Sequence, residues 1–177
     1  MSRLKRFFTS PTKVALLLGI VCCGLVGASF FVQHVLEVEP CPLCIIQRFT
    51  YLGLIPVFFG AAAARPHGKA QRALFWTAAI MTLAGLGVAS YQTQLQLFPP
   101  SVEASCSASL SYMLDTLAIT DVLARVLHAG GDCADTSFKI LGLTLAQASL
   151  LIFLSFTLLL STLLLRPRRP SMFHAAR

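Results

Sequence analysis

Six cysteines in a chain of 177 residues fall into two kinds. Cys41 and Cys44 are separated by two residues, and Cys106 and Cys133 by twenty-six. Cys22 and Cys23 are adjacent, in the middle of an apolar run. A Cys-x-x-Cys disulfide closes too small a loop to gain much chain-entropy stabilisation, so its usual use is thiol–disulfide exchange. Two other chemistries compete with this one. A four-cysteine zinc module needs a second closely spaced pair, which this chain lacks. Two structural disulfides are also possible, and Cys106 with Cys133 would fit that description as well. Cys22 and Cys23 read as small packing residues, because an unpolarised buried thiol is largely inert.

The surroundings of the close pair sharpen the redox reading. Pro40 and Pro42 flank Cys41 and are expected to oppose helix there, whereas Cys44 stands where an apolar run begins. The positive end of a helix dipole favours a thiolate near it. Arg48 lies four residues on, one helical turn deeper on the same face, and Gln47 lies three residues on. An arginine at a membrane edge can simply snorkel to the interface. One turn from a redox thiol it can also stabilise a Cys44 thiolate and an oxygen of a bound electron acceptor.

Those residues must be positioned by membrane-spanning helices. Hydrophobic residues make up 56% of the chain and charged residues 12%, against about a quarter charged in soluble domains. A small globule cannot hide that much apolar surface inside itself. Four stretches are long enough to span: 14–32, 45–64, 73–91 and 141–165. The first, at 1.5 Å per residue, reaches about 28 Å, close to the hydrocarbon thickness. Helices let each span satisfy its own backbone groups in lipid. The expected fold is an all-α integral membrane protein, a four-transmembrane-helix bundle forming one membrane domain over residues 1–177.

The net charge of +7 could point to nucleic acid, so the placement of charge decides. Arg3, Lys5, Arg6 and Lys13 form one basic cluster, Arg65, Lys69 and Arg72 a second, and Arg166, Arg168, Arg169 and Arg177 a third. No acid lies among them; Glu37, Glu39, Glu103, Asp115, Asp121, Asp132 and Asp135 all fall elsewhere. That segregation is a topology signal rather than a nucleic-acid footprint. Both termini and the basic turn around residue 67 are expected in the cytoplasm. Two loops, about 33–44 and 92–139, are expected outside, and all four dispersed cysteines fall in them. The outer side of a bacterial membrane is oxidising, so disulfides persist there. Ile119, Val122, Leu123, Val126 and Leu127 recur at helical spacing, as do Leu110, Met113, Leu114 and Leu117. They predict a short amphipathic helix on the membrane surface or a small satellite core. A cleavable signal peptide is the rival reading of the N-terminus, with Val26-Gly27-Ala28 as its cleavage site. The apolar run continues through Phe30, Phe31 and Val32, longer than a signal core, and predicts a retained span.

The stretch Phe31-Val32-Gln33-His34, followed by Glu39-Pro40-Cys41-Pro42-Leu43-Cys44-Ile45-Ile46-Gln47-Arg48, resembles the bacterial disulfide bond formation protein B (DsbB) family. Leu95-Gln96-Leu97-Phe98-Pro99-Pro100 ahead of Cys106, and Gly131-Asp132-Cys133, resemble it too. The resemblance covers nearly the whole chain. It implies a thiol:quinone oxidoreductase of the bacterial inner membrane, with its cysteine loops facing the periplasm. The implied partner is a DsbA-like soluble thiol oxidant, and the implied cofactor a membrane quinone, ubiquinone or menaquinone, with no metal. By position, Cys106 would be attacked by the reduced partner, and Cys133 would be released to attack Cys41. Cys44 would then face the quinone, with Arg48 holding a quinone oxygen. DsbA is itself a strong oxidant that glutathione does not readily regenerate, which is why a quinone-linked route is implied.

Two departures from relatives stand out. Gln47 is uncharged where some relatives carry an acid, and around Gln92 and Thr93 this chain has no ionisable residue where some relatives have one. His34, the nearest histidine in sequence region, reads as an interfacial polar residue. Two further functions compete. A transmembrane carrier of cytoplasmic reductant would need relay thiols within the spans, and only Cys22 and Cys23 qualify. A structural membrane protein would use both disulfides for stability alone.

Overall fold

The computed structural model describes residues 10–37, 41–66, 68–98, 139–140 and 142–165. Four helices account for most of them: α1 (Pro11–Val35), α2 (Pro42–Ala63), α3 (Lys69–Leu97) and α4 (Leu145–Leu165). All four are long and apolar enough to cross a membrane. Two short strands precede α4, β1 (Lys139–Ile140) and β2 (Leu143–Thr144), paired antiparallel with Lys139 opposite Thr144 and Ile140 opposite Leu143. Gly142 turns the chain between them at φ +82°, a left-handed conformation that glycine adopts without steric penalty. In sequence order, α1 packs on α2, α2 on α3 and α3 on α4.

Each helix is apolar all round, yet each turns one stripe inward. On α3 the buried residues are Gln71, Phe75, Ala78, Thr82, Gly85, Ala89 and Gln92, alternating four and three apart. That spacing is the seam of left-handed helix packing. Leu16, Ile20, Phe49, Trp76, Ile80 and Leu158 lie on outer faces and are exposed, as lipid-facing side chains should be. Lipid tails are as apolar as leucine, so helix association in a membrane rests on close packing and interhelical hydrogen bonds. Both are present. The Phe153 ring of α4 stacks on Tyr51 of α2, centroids 4.5 Å apart and planes 4° from parallel, and a Cβ added at Gly85 of α3 would meet that ring at 2.5 Å. Phe58 of α2 meets Phe156 of α4 edge-on, with centroids 6.0 Å apart. At the other end of α3, Gln71 Nε2 donates to the Ala61 carbonyl of α2 at 2.9 Å and to Thr12 Oγ1 of α1 at 3.4 Å.

The four spans predicted from hydropathy are present, with shifted ends. The third was expected to stop near Tyr91 but continues to Leu97, because Gln92, Gln94 and Gln96 are good helix formers and Gln92 stays on the buried stripe. The fourth was expected from residue 141 but starts at Leu145. Thr144 caps it: Gln147 N donates to Thr144 Oγ1 at 3.3 Å, and Thr144 N donates to Gln147 Oε1 at 3.1 Å. This reciprocal arrangement is a capping box, and it fixes the helix start. The Thr144 hydroxyl also donates to Gln96 Oε1 at 2.7 Å, joining the beginning of α4 to the end of α3. The basic clusters at the two ends of the chain, apart from Lys13, and the amphipathic segment predicted around residues 110–127 lie outside the described residues.

Candidate active site

Cys41 is the N-cap of α2, and its extended backbone (φ −65°, ψ 159°) turns the chain into the helix. Pro42, expected to oppose helix, instead opens it. A proline at the first helical position lacks only an N–H that would have no intrahelical partner, and its fixed φ suits the helix. Cys44 follows two residues into the helix. Its backbone N–H donates to Cys41 Sγ at 3.4 Å, so a thiol sulfur does the work usually done by a serine or aspartate oxygen. Cys41 Sγ–H in turn donates to Cys44 Sγ at 3.0 Å. The sharp entry into α2 thus holds the two sulfurs side by side at the positive end of a helix.

A third helix completes this arrangement. Gln92 of α3 points its carboxamide at the pair, with Nε2 donating to Cys41 Sγ at 3.3 Å and to Cys44 Sγ at 3.2 Å. Its oxygen accepts from Gln47 Nε2 at 2.8 Å. Gln92 is 2% and Gln47 4% exposed, whereas both cysteines are half-buried. A buried chain of donors therefore runs from α2 to α3 and back to the sulfurs of α2. Neither glutamine was assigned a site role from sequence. The signal for Gln92 was its place on the stripe of Gln71, Ala78 and Gly85, each seven residues from the next.

Arg48 sits one turn deeper than Cys44 and extends across to α1. Nη1 donates to Gln33 Oε1, and Nη2 donates to the Ser29 carbonyl at 3.3 Å. The guanidinium lies 4.6 Å from the centroid of the Phe30 ring, a cation–π distance, and Phe30 stacks in turn on exposed His34. Arg48 Nε and Ser29 Oγ are both buried without a hydrogen-bond partner among the described residues. Unsatisfied buried donors are costly, and these two, on adjoining helices, leave room for a hydrogen-bond acceptor to satisfy them.

The structure thus brings Cys41, Cys44 and Arg48 to one end of the bundle, on α2. Cys106 and Cys133 lie outside the described residues. Cys22 sits fully buried on the inward stripe of α1, and Cys23 beside it is exposed on the outer face. Among the described residues no three His, Cys, Asp or Glu side chains converge as metal ligands would.

Comparison with known proteins decides the family. The profile described as disulfide bond formation protein DsbB matches residues 11–163, all four helices almost to the end of α4. The chain belongs to the DsbB family. It is 40% identical over 139 residues to disulfide bond formation protein B of Chromohalobacter salexigens, covering 77% of this chain and 81% of that one. The protein of the same name from Aromatoleum aromaticum is 37% identical over 138 residues, 77% and 82% of the two chains. That of Acidovorax sp. is 33% identical over 163 residues, 91% of each. Membership of the DsbB family and four apolar helices make this a multi-pass membrane protein with a role in disulfide bond formation. The Cys41–Cys44 pair stands at the start of α2, within the stretch that the family profile matches.

Proposed function

We propose that the chain oxidises a periplasmic DsbA-like dithiol protein by disulfide exchange and passes the electrons to a membrane quinone. The observation that carries this reading is the juxtaposition of Cys41 and Cys44, sulfurs 3.0 Å apart at a helix N-terminus, with Arg48 one turn deeper. Cys106 and Cys133 are the partner-facing pair. In this scheme both outer loops face the periplasm of the bacterial inner membrane, and the basic turn between α2 and α3 faces the cytoplasm.

The exchange balances as follows. A partner thiolate attacks Cys106, breaking a Cys106–Cys133 disulfide and releasing Cys133 as thiolate. Cys133 attacks Cys41, breaking a Cys41–Cys44 disulfide and releasing Cys44 as thiolate. The partner's second thiol displaces Cys106, which then displaces Cys41 and restores the Cys106–Cys133 bond. Cys41 and Cys44 now hold two electrons and two protons as a dithiol. A bound quinone supplies the acceptor for both. Re-forming the Cys41–Cys44 bond needs only a short approach of sulfurs already side by side.

The residues present fit such an acceptor. Arg48 Nε and the Ser29 hydroxyl are buried donors awaiting an acceptor oxygen, and Phe30 offers an apolar face beside them. Arg48 is itself held by Gln33 and the Ser29 carbonyl, so its free N–H points in a fixed direction.

The test is purified full-length chain, reduced DsbA and ubiquinone under anaerobic conditions. One quinol should form for each DsbA disulfide made, and the four loop cysteines should accumulate as thiols when the quinone is exhausted. Cysteines that stay oxidised without quinone, or DsbA oxidation with no quinol, would exclude the reading.

A further inference from the structure

We propose that Gln92 is a catalytic residue that stabilises, by hydrogen bonding, the negative charge left on Cys44 as the Cys41–Cys44 disulfide opens, and that Gln47 positions it. The inference rests on the reading of the close pair as an exchange disulfide, and it adds a group to that chemistry.

The argument begins with the charge that must appear. When an incoming thiolate bonds to Cys41 Sγ, the Cys41–Cys44 bond breaks and the electron pair leaves on Cys44 Sγ. The rate of such an exchange rises as the leaving thiolate becomes more stable. Hydrogen bonds to an ionised acceptor are roughly twice as strong as neutral ones, so a donor aimed at the leaving sulfur is worth more in the transition state than before it. The Gln92 carboxamide nitrogen lies 3.3 Å from Cys41 Sγ and 3.2 Å from Cys44 Sγ, close enough for its N–H donors to serve either sulfur. It is buried and comes from a different helix, so it does not move with the pair it serves.

A carboxamide works in this position only with its nitrogen toward the sulfurs. Turned over, it would present an oxygen to a developing anion. Gln47 sets the orientation, since its Nε2 donates to Gln92 Oε1 and leaves Nε2 of Gln92 for the sulfurs. This also separates charge stabilisation from proton supply. Neither glutamine titrates, so the pair can hold a thiolate over a wide pH range without giving it a proton. The other titratable or charged groups at this end of the bundle, among the described residues, are Cys41 at the cap of α2, Arg48 on α2, His34 and Glu37 at the end of α1, Tyr91 on α3 and Lys139 on β1. None of them is hydrogen-bonded to Cys44 except Cys41.

The test measures alkylation of Cys44 by iodoacetamide against pH in the reduced full-length protein, resolved by peptide mass, with no quinone or partner present. Gln92→Met keeps the length and removes the donors; Gln92→Glu keeps the shape and replaces the donors with an anion. The alkylation profile should move to higher pH by about one unit in Gln92→Met, which corresponds to about tenfold less thiolate at a pH below both profiles. It should move further in Gln92→Glu. Gln47→Glu should shift it in the same direction, because a carboxylate accepts from Gln92 Nε2 and turns that amide over. A purely structural role would place the isosteric Glu variant nearer wild type than Met, and that order would overturn the proposal. So would an unmoved profile in all three. If a Gln92 variant does not accumulate, Gln47→Leu gives the same readout, with a smaller shift expected and no shift overturning the assignment. Quinone reduction by the wild-type chain is scored separately, so failure there would count against the proposed reaction and not against the role of Gln92.

Discussion

Arg48 of α2 donates through Nη1 to Gln33 Oε1 of α1, tying together the first two helices of the bundle. The same guanidinium accounts for the Ser29 carbonyl and the face of Phe30, while its Nε–H is left over. A charged side chain at a membrane edge is thereby oriented by α1 rather than left to snorkel. Its position relative to Cys44 is set by a bond between helices.

Replacing Arg48 with Lys keeps the charge and loses the planar fork. A lysine ammonium can reach Gln33 or the acceptor site in turn, but it has no third, fixed donor to offer. Loss of a hydrogen bond from a charged donor costs about 1.5–3 kcal/mol. The expected result for Arg48→Lys is a KM for quinone raised roughly tenfold or more, with a smaller fall in kcat. Steady-state kinetics at varied quinone and saturating DsbA measures this, and an unchanged KM would remove Arg48 from the acceptor site. Gln33→Leu should move KM in the same direction by less.

Serine variants of the close pair separate chemistry from folding. Serine is a good N-cap, so Cys41→Ser keeps the start of α2 intact, and Cys44→Ser leaves the backbone donor to residue 41 in place. Neither variant can form the Cys41–Cys44 disulfide. Each should oxidise one equivalent of DsbA per chain through Cys106 and Cys133 and then stop, with steady turnover below roughly a hundredth of wild type because a hydroxyl does not exchange with disulfides. Quench-flow with thiol trapping counts the burst. Continued turnover in Cys44→Ser would show that electrons leave by another route.

The spans and the close cysteine pair were legible from sequence because each rests on a local signal. Long apolar runs announce helices in lipid, and two cysteines two residues apart, with a proline between them, announce a pair held close at a chain turn. What hydropathy could not show is where a polar residue belongs to a buried stripe. Gln92 looked like the first residue of an outer loop because a hydropathy average falls there, yet its heptad register with Gln71, Ala78 and Gly85 continues inward. Pro42 misled for a related reason: proline opposes the interior of a helix and favours its first turn, and only the position of the cap distinguishes the two. The start of α4 is set by the Thr144–Gln147 capping box, a boundary that the length of an apolar run does not carry. The roles proposed for Cys106 and Cys133 rest on family resemblance, since their twenty-six intervening residues fit a structural disulfide equally well.

Cys22 and Cys23 offer a clean negative control. Cys22 is fully buried on the α1 stripe, and Cys23 points outward. Adjacent thiols on one helix that face different ways cannot hand electrons along it. The double variant Cys22→Ala, Cys23→Ala should therefore keep wild-type quinone-coupled turnover. It should lose only about 1 kcal/mol of stability from the small cavity at residue 22. A severe loss of turnover with an unchanged melting temperature would revive a relay through the first span.

Gly85 tests whether packing in the middle of the bundle controls the site at its end. The Phe153 ring stacks on Tyr51, and a Cβ at residue 85 would stand 2.5 Å from two of its carbons. A ring held by its stack on Tyr51 resists displacement, so the clash is expected to push α3 away from α4. Gly85→Ala should cost about 1–3 kcal/mol, read as a lower melting temperature in detergent. Because Gln92 lies two turns along the same stripe of α3, moving that helix also draws its amide away from Cys44. Turnover should fall along with stability. Phe153→Leu removes the obstructing ring and should restore part of both in the Gly85→Ala background. That non-additivity is the decisive measurement. Additive losses from the two substitutions would mean that the contact between Gly85 and Phe153 does not set the position of α3.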